Sequence, residues 1–366
     1  MPNQNRLFLD VHAVQTLPPS NINRDDTGSP KTAMYGGARR SRVSSQSWKR
    51  AIRLYFEDHG GEAKVGVRTL EIVRYLADKI QAIDPAKSDQ EAMLLAESTI
   101  NAAGVKTDKQ RAKALFFIGH RQAEELAAAA LAGMNDKKSL QAILKDNPSI
   151  DLALFGRMVA DDPSLNEDAS AQVAHAISTH AVQSEFDFYT AVDDEGPEDN
   201  AGAGMLGTIE FNSSTLYRYA NVAVHELLHQ LGDKEATVNA LRLFVEAFAN
   251  SMPTGKATSF AQQTLPQAVI VSLRSDRPVN LVSAFEKPVR SRDGYVFESL
   301  QRLHNEYGKV AGFVKAPLLT LYLAPFVEDK DHKEHKDPLA GIGDAKESLF
   351  ALLDDLSDAL LQMDLA

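Results

Sequence analysis

Gly36-Gly37-Ala38-Arg39-Arg40-Ser41-Arg42-Val43-Ser44-Ser45-Gln46-Ser47-Trp48-Lys49-Arg50-Ala51 places a dense basic segment directly before a run with helical spacing. Trp48, Ile52 and Tyr55 or Phe56 recur at three and four residues, and Ser44, Ser45 or Ser47 can cap the helix they imply. Helix N-termini present free backbone amides and the positive end of the dipole, so cations placed there favour phosphate oxygens. Between Arg24 and Arg53 eight basic residues face only Asp25 and Asp26, a net of +6 in thirty residues. The whole chain of 366 residues carries −11, so the other 336 carry −17. One basic track on an acidic body suits a protein that seats a polyanion in one place and repels it elsewhere; a solvated helix face explains the charge alone equally well.

Outward from this segment, Leu7–Leu17 alternates apolar and polar residues in period two and reads as an opening strand ended by Pro18-Pro19. Residues 22–42, with Gly28, Pro30 and Gly36-Gly37, read as a long irregular loop. From Gly60 to about Leu144 the composition turns to Ala, Leu, Glu and Lys without a strand pattern, which predicts an all-helical insertion. Leu152–Met158 then reads as a short strand and Ser170–His180 as a small-residue helix. Phe186–Val192 and Thr208–Val222 are β-prone and aromatic, joined by an acidic Gly/Pro stretch, and predict a long hairpin. Helices are expected over 224–231, 235–249 and 345–365, and a buried strand over 268–273; no internal repeat is present.

Composition narrows the function classes. With 44% hydrophobic and 24% charged residues the chain is globular, and no run reaches the roughly 18 apolar residues of a membrane span. The N-terminal hexapeptide lacks an apolar signal core, so an unsecreted, cytoplasmic protein is expected. The chain has no cysteine, which removes disulfides, thiolate nucleophiles and Cys-ligated metals.

Two short motifs point elsewhere. His225-Glu226-Leu227-Leu228-His229 fits H-E-x-x-H, whose imidazoles share a helix face and bind Zn²⁺ while the glutamate polarises water; Glu246 is a candidate third ligand. The same residues read more readily as surface or partly buried helix histidines with no metal, because the longer zincin spacing is missing. Gly202-Ala203-Gly204-Met205-Leu206-Gly207 fits G-x-G-x-x-G but has an acidic loop before it and a strand after it, the reverse of a dinucleotide site. Asp25-Asp26 and Asp193-Asp194 lack a metal-ligand pattern and suit loop capping. Neither G-x-S-x-G nor a P-loop occurs. What remains is a basic loop and helix plus an aromatic hairpin, the elements of single-strand recognition through the backbone; Met158, Phe188, Tyr189 and Val192 read alternatively as core.

Asn23-Arg24-Asp25-Asp26 with the segment from Gly36 to Ala51 closely resembles the N-terminal signature of CasC-type backbone subunits of type I-E CRISPR Cascade complexes. Gly156-Arg157-Met158, Ala174–His180, Asp187–Asp194, Tyr217–Asn221 and Ala284-Phe285-Glu286-Lys287 extend the resemblance in order over most of residues 1–295. It implies an α+β fold: a ferredoxin-like, RRM-related palm (1–58, 151–184 and 223–366), a helical finger (59–150) and a β-hairpin thumb (185–222). It also implies a non-enzymatic protein without cofactor or metal that stacks in several copies along a CRISPR guide RNA and presents it to target DNA. The implied partners are the guide-processing endonuclease, the large and small subunits and the 5′-handle-binding subunit, with no membrane. Carried over by position, Arg24, Lys31, Ser44, Gln46, Lys49 and Arg50, with Arg42 and Ser45, contact guide phosphates. Met158, Phe188, Tyr189 and Val192 form a wedge that flips out a nucleotide, Arg290 and Arg292 lie near the RNA, and Lys137, Lys138 and Lys145 guide duplex DNA.

Overall fold

The computed structural model describes residues 6–60, 65–190, 206–325 and 337–365. Its first strand, β1 (Phe8–Ser20), lies between β11 (Leu206–Ala223) and β12 (Pro266–Arg274), with Val11 opposite both Ala220 and Val271. Around it runs a mixed ten-stranded sheet whose main path is β14 (Asp344–Ala345), β13 (Leu319–Leu323), β12, β1, β11, β9 (Ala176–Ser178), β3 (Ala38–Val43) and β2 (Thr32–Tyr35). Strands β8 (Ala171–Val173) and β10 (Glu185–Thr190) pair with β11 off that path.

Both sheet faces are covered. On one, Leu7, Leu9, Val11 and Ala13 pack against α1 (Ser45–Gly60), α6 (Ile150–Phe155), α7 (Val224–Leu231), α8 (Lys234–Asn250) and α11 (Leu349–Gln362). On the other, Val14, Tyr217, Tyr219 and Ile270 pack against Leu281, Phe285 and α10 (Val296–Val310). The alternation in β1 therefore does not mark a wet face. Its polar members are buried as a network: Asp10 lies 3.0 Å from Arg274 and accepts from the Tyr219 hydroxyl at 2.8 Å, while His12 Nδ1 lies 2.9 Å from the Tyr217 hydroxyl. Burial pushes Asp10 up to about 6 and His12 down to about 3, because each charged form loses its hydration.

A second core belongs to the inserted lobe, where α2 (Ile72–Ile83), α3 (Asp89–Ala102), α4 (His120–Leu131) and α5 (Lys137–Lys145) enclose Leu76, Ile80, Ile118 and Leu126. The lobe is not all-helical. It also holds the pairs β4 (Gly66–Thr69) with β7 (Phe116–Gly119), and β5 (Thr107–Asp108) with β6 (Arg111–Ala112). A four-residue strand such as Phe116–Gly119 is too short to stand out against helical composition.

Four further expectations are corrected. Pro18-Pro19 does not end β1, which continues to Ser20 through a register shift after Leu17. Residues 22–42 are irregular only as far as Lys31; beyond it β2 and β3 form a hairpin turned by Gly36 and Gly37 at φ +57° and +74°, as a two-residue primed turn requires. Residues 150–155 are helix α6 rather than a strand, since a short apolar run buried on all sides carries no decisive period. Residues 171–178 form β8 and β9, not a helix; pairing to β11 overrides the helical propensity of their alanines. The hairpin of β10 and β11 forms as expected, α7, α8 and β12 match their predicted spans closely, and the last helix begins at Leu349. The single turn α9 (Ala257–Phe260) completes the helices of the described residues.

Candidate nucleic-acid interface

Helix α1 is positioned by its inner face. Trp48, Ala51, Ile52 and Phe56 are buried, and the Arg218 guanidinium lies 3.7 Å from the Trp48 ring centroid. Gln46, Lys49, Arg50 and Arg53, three and four residues apart, consequently form the outer stripe. Ser44 is itself buried as the cap: its amide donates to Asn23 Oδ1 at 2.8 Å, and its hydroxyl accepts from the Ser47 amide at 3.4 Å. Ser45 remains partly accessible.

Two clefts share this stripe. The first, about 450 Å³, lies between Arg24, Asp25, Asp26, Ser47 and Arg50 and the segment Met252–Gly255. The second, about 800 Å³, lies between α1 and the inserted lobe and is lined by Gln46, Lys49, Arg50, Arg53, Arg68, Phe155 and Met158, among others. Arg50 lines both. The structure thus brings Arg24, Gln46, Lys49, Arg50 and Met158 onto one track. The Lys49 ammonium sits 5.6 Å from the Phe155 ring centroid, and partial burial lowers its pKa.

Asp25 is occupied locally. Its carboxylate accepts from the Thr27 hydroxyl at 2.7 Å and from the Thr27 and Ser29 amides at 3.0 Å each, which lowers its pKa. Lys31 and Arg42 gather beside the exposed His175, whose Nδ1 lies 3.0 Å from Arg42 Nη1. Partial burial, then the Arg42 and Lys31 charges, hold that imidazole below its usual pKa. With Nδ1 accepting from Arg42, His175 offers its Nε2–H outward.

Other predicted residues lie apart. Phe188 and Tyr189 stand exposed on β10 and line neither cleft; as neighbours in a strand they face opposite sides. The Tyr189 ring covers Gly207, where a Cβ would meet its Cζ and hydroxyl at 2.4 Å. Val192, Asp193-Asp194 and Gly202–Met205 lie outside the described residues. Arg290 and Arg292 are exposed beyond Val289, whose amide donates to the Thr179 carbonyl at 2.9 Å. On α5, Lys138 and Lys145 are seven residues apart on one exposed face, whereas Lys137 pairs with Asp162 at 2.7 Å.

Not every cation of the basic segment faces outward. Arg40 is fully buried, Nη1 donating to the Ser178 and Thr179 carbonyls and Nη2 to that of Phe285, at 2.8–2.9 Å. Arg53, although on the outer stripe, is half-buried and held by Asp151 at 3.1 Å. Conversely, Arg68 and His175, which the sequence leaves unassigned, are delivered to the interface by the β4–β7 and β3–β9 pairings.

The zinc set is not assembled. His225 Nδ1 lies 3.0 Å from the Leu7 carbonyl, Glu246 accepts from the Tyr55 hydroxyl at 2.8 Å, and among the described residues no three His, Asp or Glu side chains are placed to hold a metal. Among the described residues no helix is long and apolar enough to cross a membrane.

Residues 9–348 match the family described as CT1975-like protein. A chain of a "CRISPR RNA-guided surveillance complex, pre-nicking" is 34% identical, with a TM-score of 0.84 over 96% of this chain and 100% of that one. A chain of a "CRISPR RNA-guided surveillance complex" is 30% identical, with a TM-score of 0.75 over 96% of this chain and 99% of its own. No curated protein matches.

Proposed function

The chain belongs to the CT1975-like protein family, and from that premise we propose that it is a guide-RNA-binding backbone subunit of a type I-E Cascade surveillance complex. The observation that carries the reading is the outer stripe of α1, a run of cations that lines one cleft and continues through Arg50 into a second, on a chain that is otherwise strongly acidic. Arg24, Lys31, Arg42, Lys49 and Arg50 neutralise guide phosphates, and Ser45 and Gln46 donate hydrogen bonds to them. Ser44 acts through the cap that orients α1. Backbone recognition suits a carrier whose guide varies in sequence.

In this reading the sheet around β1 and its helices form the palm, the inserted lobe the finger, and β10 with the part of β11 that pairs with it, Leu206–Phe211, the thumb. Successive copies stack along the RNA, the thumb reaches over the strand toward the next copy, and the exposed face of α5 with Lys138 and Lys145 follows target DNA. Arg290 and Arg292 add positive charge near the guide. The other Cascade subunits are the remaining partners. The protein performs no catalysis, works without cofactor and resides in the cytoplasm.

The test is to purify the protein natively, sequence the nucleic acid it retains and measure zinc on the same sample. Short RNAs sharing a repeat-derived end are expected, and the Lys49→Glu, Arg50→Glu double variant loses them. Stoichiometric zinc without RNA would replace this reading with a metallohydrolase.

A further inference from the structure

The β5–β6 hairpin of the inserted lobe is turned by residues that such a turn disfavours. Thr107 pairs with Ala112 and Asp108 with Arg111, leaving Lys109 and Gln110 as a two-residue connection at φ +50° and +62°. Both hold left-handed backbone, which asparagine and glycine enter readily and which lysine and glutamine enter at a cost. The β2–β3 hairpin meets the same demand with Gly36 and Gly37. Strain of this sort persists only where the surroundings enforce it. Here the Ala112 amide donates to the Leu70 carbonyl at 2.8 Å, and the Lys113 amide to that of Lys106 at 3.1 Å. The Thr107 hydroxyl accepts from Asn101 at 2.7 Å and donates to Glu97 at 3.1 Å, and Arg111 pairs with Glu71 at 2.5 Å.

What the strained turn presents is charge. Residues 106–113 carry Lys106, Lys109, Arg111 and Lys113 against Asp108 alone, and all five are exposed. Lys106 pairs with Asp161 at 3.5 Å, but among the described residues Lys109 and Lys113 form no ion pair. The base of the hairpin abuts the N-terminal end of α5: the Gln141 amide donates to the Ala103 carbonyl at 3.0 Å, and a Cβ on Gly104 would lie 3.3 Å from Lys137 Cε. Asp161 and Asp162, adjacent in sequence, take up Lys106 from the hairpin and Lys137 from α5, so each carboxylate has its own cation. The hairpin cations thus lie beyond the end of α5 at which Lys138 stands. Residues 106–113 hold no aromatic ring, so nothing there stacks on an unpaired base. Phosphates alone match this surface, and a duplex presents them with its bases turned inward.

We propose that the β5–β6 hairpin is a second duplex-DNA contact of the inserted lobe, Lys109 and Lys113 neutralising backbone phosphates without reading sequence. The inference rests on the reading in which Lys138 and Lys145 follow target DNA, and it carries that path from α5 onto a separate element. The turn gives up stability to hold a cation at its tip.

The test uses the natively purified full chain with the RNA it retains, and a fluorescein-labelled DNA duplex that shares no sequence with that RNA. Anisotropy is followed against salt, and the retained RNA is quantified in the same samples. Lys109→Asn combined with Gln110→Gly gives the turn its preferred residues and removes the cation. This double variant should unfold at a higher temperature yet bind the duplex about fivefold more weakly at low salt, with a salt slope shallower by about 0.9. Lys113→Gln, off the turn, should weaken duplex binding similarly, and both variants should retain the parent's RNA. A hairpin that serves the fold alone would leave duplex binding unmoved in both, which would overturn the proposal. Loss of retained RNA in either variant would reassign the hairpin to the guide and overturn it as well. So would a parent that holds RNA but no duplex, with the guide-binding reading left standing; a parent that holds no RNA would overturn that reading and this inference with it.

Discussion

Arg50→Gln separates the cations that serve the RNA from those that serve the fold. Five cations lie on the proposed track: Arg24, Lys31, Arg42, Lys49 and Arg50. Each phosphate neutralised on a single strand contributes about −0.7 to the slope of log K against log salt, so the parent slope is about −3.5. Between about 50 and about 200 mM salt that slope lowers affinity roughly 130-fold; with four cations the slope is about −2.8 and the loss roughly 50-fold. Arg50 is exposed, so the substitution should leave unfolding free energy within about 0.5 kcal/mol. Arg40→Gln is the contrast. It removes a buried cation that donates to the Ser178, Thr179 and Phe285 carbonyls, bonds worth about 1.5–3 kcal/mol each when the donor is charged. A net loss of about 3–5 kcal/mol is expected, with the salt slope of the folded fraction unchanged. Fluorescence anisotropy with labelled oligouridine gives the slopes and urea unfolding the stabilities. If Arg50→Gln kept the parent slope, or if Arg40→Gln shifted it equally, the division between track and scaffold would be wrong.

Gly36→Ala and Gly37→Ala test the hairpin turn. Both place alanine at positive φ, which costs about 1–2 kcal/mol, but only at Gly36 does the new Cβ run into Glu286, 1.5 Å from its carbonyl oxygen, so Gly36→Ala should lose about 2 kcal/mol more in urea unfolding. The buried pair in β1 has opposed pH dependences. His12, held at about 3, contributes stability that is present above 6.5 and lost as pH falls toward 3, whereas Asp10, raised to about 6, contributes stability that is present below 3.8 and lost as pH rises through 6. The two offset between about pH 6 and 4, so Asp10→Asn should steepen the fall of stability on acidification by about 1 kcal/mol per pH unit, and parallel pH profiles would refute it. Phe188→Ala should leave thermal unfolding unchanged, since the ring is 65% exposed, yet erase regularly spaced reactivity along bound RNA; retention of that pattern would move the wedge to the Tyr189 face.

What the sequence makes legible follows from which forces act locally. The opening strand, the helix after Ser44, the hairpin, α7, α8 and β12 carry strong periodicity or turn chemistry, and the structure has them. Residues 150–155 and 171–178 carry neither: one is a short run buried on all sides, the other a set of small residues whose conformation is imposed by β11. The polar half of β1 misleads for a related reason. Asp10 and His12 look like a solvated face because nothing nearby in sequence shows that Arg274, Tyr219 and Tyr217 meet them under α10.

The basic segment shows the same limit at the site, since a charge count cannot tell a guanidinium facing solvent from one spent inside. Arg40 ties the β2–β3 hairpin to the turn at Phe285, and Arg157 ties the lobe to the sheet layer through three carbonyls. Arg218 lies between Trp48 and Phe248, 3.7 and 4.4 Å from their ring centroids, and burial lowers it to about 9. A desolvated cation on two aromatic faces gains most when both rings stay put, so Arg218 fixes the rotation of α1 through Trp48. That rotation decides where Lys49 and Arg50, the next two residues, point. The outward cations therefore depend on the inward ones. A loss of RNA binding in a buried-arginine variant reports disturbed placement of the α1 stripe, whereas the same loss in Arg50→Gln, with stability intact, reports a missing phosphate contact.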